Sequence, residues 1–439
     1  MILMILRRRD TLKAIIFCLG AAGCRRIGLR SPPPSPIPGA SSRPEPVILP
    51  SLQPSLTPVL IEPTMSPTSA VPISIDQPAL MPGFIIDGHE DIAWNALEYA
   101  RDPNQSALST RSTEAASGLA GLVGERTTGL PEWLAGRVGV IFATLFVMPA
   151  RQDFQPYHTM TYTSPQEAEV HACRQLNYYH ELARESAIFR LVTSSSVLKQ
   201  VLSTWMVDSD PSQRLVGLVP LMEGADAIVL PSDLPGWHQS GLRILGLAWV
   251  STQYAGGTHE PGPLTDLGRQ LLKSMGELNM ILDLSHCSEE AYLEAVDIYP
   301  KQIIASHSNP RHFLPTDRGL SDEMIKKLAE RDGVMGIVPF NKFLVPGWSP
   351  GSPRPGVAKV IEAIDAVTQL TGSTRHVAIG TDFDGGLGPE ALPDGIDTIA
   401  DLSKIIEGLK SDGYKDADID NITHNNWLRV LRNALNENN

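Results

Sequence analysis

Five residues with the chemistry of metal ligands stand at or next to the ends of apolar runs: His89, Asp91, Glu223, His286 and His307. Side chains along an extended segment alternate with period two, so His89 and Asp91 point to the same side and could bind one ion together. His286 and His307 end successive apolar runs across one helical pattern. Neighbouring strands lie about 4.8 Å apart, close enough for two imidazoles to share a second ion. Glu223 has two carboxylate oxygens and could bridge ions placed about 3.5–4 Å apart, the spacing of two-metal hydrolases. Nitrogen and carboxylate ligands suit zinc, with manganese, cobalt or iron as alternatives. In such a site a bridging water loses a proton near neutral pH and attacks a polarised carbonyl, which is the chemistry of amide hydrolysis. Asp382, within Ile379-Gly380-Thr381-Asp382-Phe383-Asp384-Gly385-Gly386, could orient that nucleophile, take its proton and pass it to the leaving nitrogen.

Residues so far apart in the chain need a frame that gathers them. Past Met81, short β-rich runs alternate with longer helical patterns, the mark of βα units and a parallel sheet. The predicted strands are Gly83–His89, Val138–Leu145, Val216–Glu223, Arg243–Trp249, Asn279–His286, Gln302–His307, Val334–Pro339 and His376–Asp382. Eight such strands define an α/β fold of the TIM type, a (β/α)8 barrel; a further apolar run at Phe189–Val192 leaves the count open by one. Helices are predicted at Thr265–Leu278, Ser288–Ile298 and Ser321–Arg331, each opening on a hydroxyl residue followed by acids. Parallel strands buried on both faces should be apolar throughout. Yet His89, Glu223, His286, His307 and Asp382 each end such a run, and the C-terminal strand ends of a barrel converge on one face. Taken singly, each is as easily a hydrogen-bonded loop residue. The five together are not.

Other candidates fit less well. Cys287 follows His286 and should face away, while His158, His171, His180, His238, His312 and His424 lie in helix-like or loop-like contexts and read as structural or solvent-exposed. Ala255-Gly256-Gly257-Thr258 lacks the helix start of a phosphate loop and reads as a flexible active-site loop.

The net charge of −13 supplies no basic footprint, so nucleic acid is excluded as a partner. Of four cysteines only Cys173 and Cys287 fall in the expected domain, so no disulfide framework is forced. Residues 1–23 read as an export signal: Arg8-Arg9-Asp10-Thr11-Leu12-Lys13 resembles a twin-arginine motif ahead of a short apolar stretch. Ala21-Ala22-Gly23-Cys24 resembles a lipobox, so Cys24 is a candidate lipid anchor to a membrane; an ordinary cleaved signal or an uncleaved anchor is the alternative. Residues 24–80 are rich in Pro, Ser and Thr and read as a disordered linker, which leaves 81–439 as the barrel, exported from a bacterial cytoplasm. The oligomeric state stays open, a homodimer included.

Several blocks together resemble the membrane dipeptidase (renal dipeptidase) family over nearly the whole of Gly83 to Leu435. They are Asp87-Gly88-His89-Glu90-Asp91, Met222-Glu223-Gly224, Leu264-Thr265-Asp266-Leu267-Gly268, Asp283-Leu284-Ser285-His286, Ala305-Ser306-His307-Ser308, Leu320-Ser321-Asp322-Glu323 and Gly380-Thr381-Asp382-Phe383-Asp384-Gly385. The resemblance implies two zinc ions per chain, one held by His89 and Asp91, the other by His286 and His307, with Glu223 bridging and Asp382 as acid/base. It implies that Arg318 grips the substrate carboxylate, and that the substrate is a small dipeptide with a free C-terminal carboxylate, D-residues included. One departure stands out: Trp249 occupies the position of the histidine that the mammalian members carry near the scissile carbonyl, and as a substrate-binding residue an indole can donate one hydrogen bond or wall the pocket but cannot take up a proton. Two other readings compete, a barrel amidohydrolase acting on another small amide or lactam, and a surface-tethered binding protein that has lost catalysis.

Overall fold

A computed structural model describes residues 79–151 and 158–435. The expected signal segment and nearly all of the expected linker lie outside the described residues. Eight parallel strands follow one another round the sheet in chain order: β1 (Ile85–Glu90), β2 (Val138–Phe146), β3 (Val216–Glu223), β4 (Ile244–Gly246), β5 (Ile281–Asp283), β6 (Ile303–Ala305), β7 (Val334–Ile337) and β8 (Val377–Ile379). Past the last strand, Asp382 N–H donates to His89 O at 3.1 Å and Glu90 bridges Phe383, which brings β8 back to β1. The result is a nearly closed eight-stranded parallel barrel of the (β/α)8 kind.

The further apolar run is also a strand, Phe189–Leu191, but it does not enter the ring. It pairs with Val216–Leu218 of β3, and β4 takes up the same edge higher along at Leu221 and Met222. The two short strands thus share one edge of a long one.

Every barrel strand is buried on both faces. Alternate residues serve two cores. Ile86, Val140, Phe142, Val219, Leu221, Ile244, Ile281, Ile304, Val334 and Ala378 form one cluster with Trp205 and Trp427. Their neighbours Ile85, Ile141, Leu218, Leu245, Leu282, Ile303, Met335 and Val377 belong to the larger cluster shared with the helices. Period-two alternation with both faces apolar is why these runs read as continuous.

Helix starts follow local chemistry. Thr265 Oγ1 accepts from Gly268 N–H at 3.0 Å and Ser321 Oγ from Met324 N–H at 3.3 Å. Ser288 also precedes a helix, Glu289–Ile298, but its hydroxyl donates to Gly262 O and does not cap. The stretch expected as a flexible loop is instead a strand, Ala255–Gly257, paired antiparallel with Glu260–Leu264. Among the described residues no helix is long and apolar enough to cross a membrane.

Candidate metal centre

The strands are shorter than their apolar runs, and this places the polar residues. Glu223 is the last residue of β3 and His89 the last but one of β1, whereas His286, His307 and Asp382 lie two or three residues beyond β5, β6 and β8. Asp91 stands at the N-cap of helix α1 (Ile92–Tyr99) without capping it. Its carboxylate is left for other work and accepts the Thr144 hydroxyl. His286 and Asp382 both have left-handed backbone, at φ +66° and +58°. That conformation is costly for a residue with a Cβ and persists only where surrounding contacts over-determine it. Around Asp382 those contacts include its own N–H on His89 O and Gly385 N–H on its carbonyl, each 3.1 Å.

A buried carboxylate layer lies beneath. Asp87 accepts Thr381 N–H at 2.7 Å, tying β1 to the segment that carries Asp382. Asp283 accepts Ser285 N–H at 3.0 Å, Ser306 N–H at 2.9 Å and the Ser306 hydroxyl at 2.5 Å. A Cβ at Gly336 or Gly380 would stand 2.0 or 1.9 Å from Ser306 O, so only glycine lets β7 and β8 close on the turn bearing His307.

With the Ser306 proton given to Asp283, its oxygen can only accept from His307 Nδ1, 2.8 Å away. The hydrogen of His307 therefore sits on Nδ1, and Nε2 presents a lone pair. His286 Nδ1 lies 3.1 Å from the Thr258 hydroxyl, so its Nε2 is the atom that faces inward. The two Nε2 atoms are 3.0 Å apart and stand 3.1 Å (His286) and 3.2 Å (His307) from Glu223 Oε1. Burial foremost, then the Arg318 charge, holds His286 down at about 4; burial, His89 and Arg318 hold His307 well below its usual range. Neutral imidazoles and an ionised carboxylate thus converge with acceptor atoms that repel one another unless a cation sits between them.

The other carboxylate oxygen faces elsewhere. Glu223 Oε2 is 3.6 Å from His89 Nε2, which is buried and has no hydrogen-bond partner. Burial opposes a charge on His89, but Glu223, Asp91 and Asp382 overcome it and raise the imidazole to about 10. His89, Asp91 and Glu223 form one group able to hold an ion, Glu223, His286 and His307 a second, and His89, His307 and Asp382 a third, the ligand atoms of each lying within 4.8 Å of one another. The donor set fits one or two metal ions sharing Glu223.

Asp382 Oδ1 is 4.0 Å from His89 Nε2, and burial, with Asp91 and Glu223 adding to it, lifts its carboxyl to about 8. Asp384, two residues on, turns away and accepts Thr127 N–H at 2.6 Å and the Thr128 hydroxyl at 2.7 Å. Arg318 donates to Ser308 Oγ at 3.0 Å and His307 O at 2.6 Å, and its guanidinium lies 5.5 Å from the Phe343 ring centre. Its Nε is buried without a partner.

All this opens into a cavity of about 510 Å3, lined by Asp91, Glu223, His286, Arg318 and Asp382 and by Trp249. His158, expected to be structural or exposed, is a lining residue too, 2.9 Å from the Tyr99 hydroxyl. Trp94, Tyr99 and Phe146 also line the cavity and were not anticipated. Trp94 lies three residues past Asp91, a spacing that could have flagged it. Cys287, expected to face away from His286, is buried.

A parallel barrel whose C-terminal mouth gathers histidines and carboxylates round a cavity defines a metal-dependent hydrolase. The sequence model of the membrane dipeptidases (peptidase family M19) matches residues 79–439, and the chain belongs to that family of peptidases. Among curated relatives, an uncharacterized dipeptidase of Schizosaccharomyces pombe is 25% identical over 79% of this chain and 80% of its own. The dipeptidase aclJ of Aspergillus oryzae is 27% identical over 79% and 77%. Among solved structures, a metallo peptidase from Rhodobacter sphaeroides liganded with a phosphinate mimic of the dipeptide L-Ala-D-Ala superposes with a TM-score of 0.65 at 23% identity, covering 81% of this chain and 100% of that one.

Proposed function

We propose that the protein is an exported dipeptidase that uses two zinc ions to cleave small dipeptides bearing a free C-terminal carboxylate. The observation that carries this reading is the division of Glu223, with Oε1 toward His286 and His307 and Oε2 toward His89. His89 and Asp91 would hold one ion and His286 and His307 the other. Bound there, the ions supply a polarised carbonyl and a nucleophilic water near neutral pH.

The chain's own residues do the rest. Asp382, buried beside the ligands and raised to about 8, is suited to accept a proton and return it to the leaving nitrogen near neutrality. Arg318, locked by Ser308 and the His307 carbonyl, offers a preorganised cation to the substrate carboxylate. The dipeptide mimic held by the Rhodobacter sphaeroides peptidase supports a substrate of this size, with a D-residue at its C-terminal end among those accepted.

Metal analysis of the purified protein joined to a dipeptide screen tests the reading. About two equivalents of zinc, and hydrolysis that chelator abolishes, are expected. Metal content below about one equivalent would overturn it, because a two-ion site retains at least its tighter ion. Export with lipid on Cys24 belongs to the same proposal, supported by the twin-arginine-like and lipobox-like segments. Cys24→Ser should release the protein from the membrane fraction.

A further inference from the structure

One side of the cavity is a wall of rings. Trp94 on α1 packs against Phe146 at the end of β2, ring centres 5.1 Å apart, and against His158 at 5.6 Å. Phe146 packs on Trp249 at 5.0 Å, and Trp249 reaches the His286 ring at 6.2 Å. These separations lie in the range of favourable aromatic pairs, roughly 4.5–7 Å. Trp94, Phe146 and Met160 form an apolar cluster separate from both cores of the barrel, with Tyr99 and Trp249 packed against it. An apolar cluster that lines a cavity offers its surface to whatever enters.

The cations stand on the other side. Arg318 follows β6 and Lys342 follows β7, whereas the wall is built from the segments after β1, β2 and β4. In an eight-stranded ring β6 is four strands from β2, the far side of the mouth. A dipeptide whose carboxylate is held at Arg318, and whose amide lies over Glu223, must extend its N-terminal residue toward the rings.

We propose that this wall is the subsite for the side chain of the substrate's N-terminal residue and that it selects large apolar side chains, aromatic ones above all. The proposal rests on the dipeptidase reading and on Arg318 as the carboxylate anchor. Trp249 is the specificity-determining residue. It joins Phe146 to His286 and offers a broad apolar face that gains by covering another.

The test uses the zinc-loaded full chain and two dipeptide panels. One varies the N-terminal residue (Gly-Ala, Leu-Ala, Phe-Ala), the other the C-terminal residue (Ala-Gly, Ala-Leu, Ala-Phe). The expected result is a kcat/KM for Phe-Ala at least about tenfold above that for Gly-Ala, with the second panel flat to within about threefold. Trp249→Ala and, independently, Trp94→Ala should each bring the Phe-Ala to Gly-Ala ratio below about threefold, while Trp249→Phe keeps most of it. The ratio does not depend on the fraction of folded enzyme, so partial misfolding of a variant leaves it readable. Hydrolysis with no preference, a preference confined to the C-terminal panel, or a ratio that survives both alanine substitutions overturns the subsite alone. No hydrolysis in either panel overturns the dipeptidase reading, and the subsite with it.

Discussion

The two ends of this barrel are built from the same strands and are chemically opposite. At the ends where the strands begin, Phe84 and Trp205 close an apolar plug in which the Trp205 indole is satisfied by Leu215 O at 2.6 Å, while the Trp427 indole runs up the barrel interior to donate to Ile379 O, the last residue of β8, at 2.8 Å. Where the strands finish, three histidines and three carboxylates crowd together, with lone pairs facing one another and a buried nitrogen left unpaired. The first end lowers the free energy of folding; the second raises it until a cation arrives. Function here is stored as unsatisfied electrostatics, held in place by the packed frame of the barrel.

Substitutions can sharpen that contrast. Glu223→Gln should cause the largest loss: without a carboxylate shared between the two groups, metal content and dipeptide hydrolysis both fall to background, as measured by elemental analysis and a peptidase assay. Asp382→Asn should keep the metal and lower kcat by about 10²–10⁴-fold, the usual contribution of a general acid/base. Retained turnover would remove the proton-transfer role given to Asp382. At the opposite end, Trp205→Ala should cost about 3–5 kcal/mol of stability in urea unfolding, yet leave metal stoichiometry unchanged in the folded fraction. A loss of metal there would show that the two ends are not separable.

Smaller effects follow. Arg318→Ala should raise KM about 10–150-fold for substrates with a free carboxylate, the worth of a charged hydrogen-bonded contact, and leave C-terminally amidated analogues little changed. The smallest effect concerns pH. Burial raises Asp382 from 3.8 to about 8, and charged neighbours raise His89 from 6.5 to about 10 against the opposing effect of burial. A group whose pKa is raised on folding stabilises most below its unfolded value and loses that contribution as pH climbs through the folded value. Below about pH 6.5 the lowered His286 and His307 act with the opposite sign, so metal-free protein should lose stability between about pH 6.5 and pH 10, read as a falling urea midpoint. Zinc should flatten the slope, because the ions replace the protons.

Much of this was written locally. His89, Asp91, Glu223, His286, His307 and Asp382 could be found because an ionisable residue ending an apolar run has no place in a strand buried on both faces. The extra strand Phe189–Leu191 was legible as an apolar run, but not its place, since pairing along half an edge of β3 leaves no mark in the segment itself. The expected strands at His286, His307 and Asp382 came out too long because each run continues into a tight turn. Two of those turns require left-handed backbone at His286 and Asp382, which apolarity does not encode.

Trp249 aside, which reads as a residue able to wall the pocket, the aromatic wall lay beyond reach for a different reason. Trp94, Phe146, His158 and Trp249 come from four separate segments, and nothing in any one of them says that their rings will touch. By itself the sequence determined which residues could hold metal and which strands would carry them, since hydrophobic period and side-chain chemistry act over a few residues. Tertiary structure alone decided which oxygen of Glu223 faces which histidine, which nitrogen of His307 keeps its proton, and what lines the cavity. Those outcomes depend on ångström distances between segments that meet only when the barrel closes.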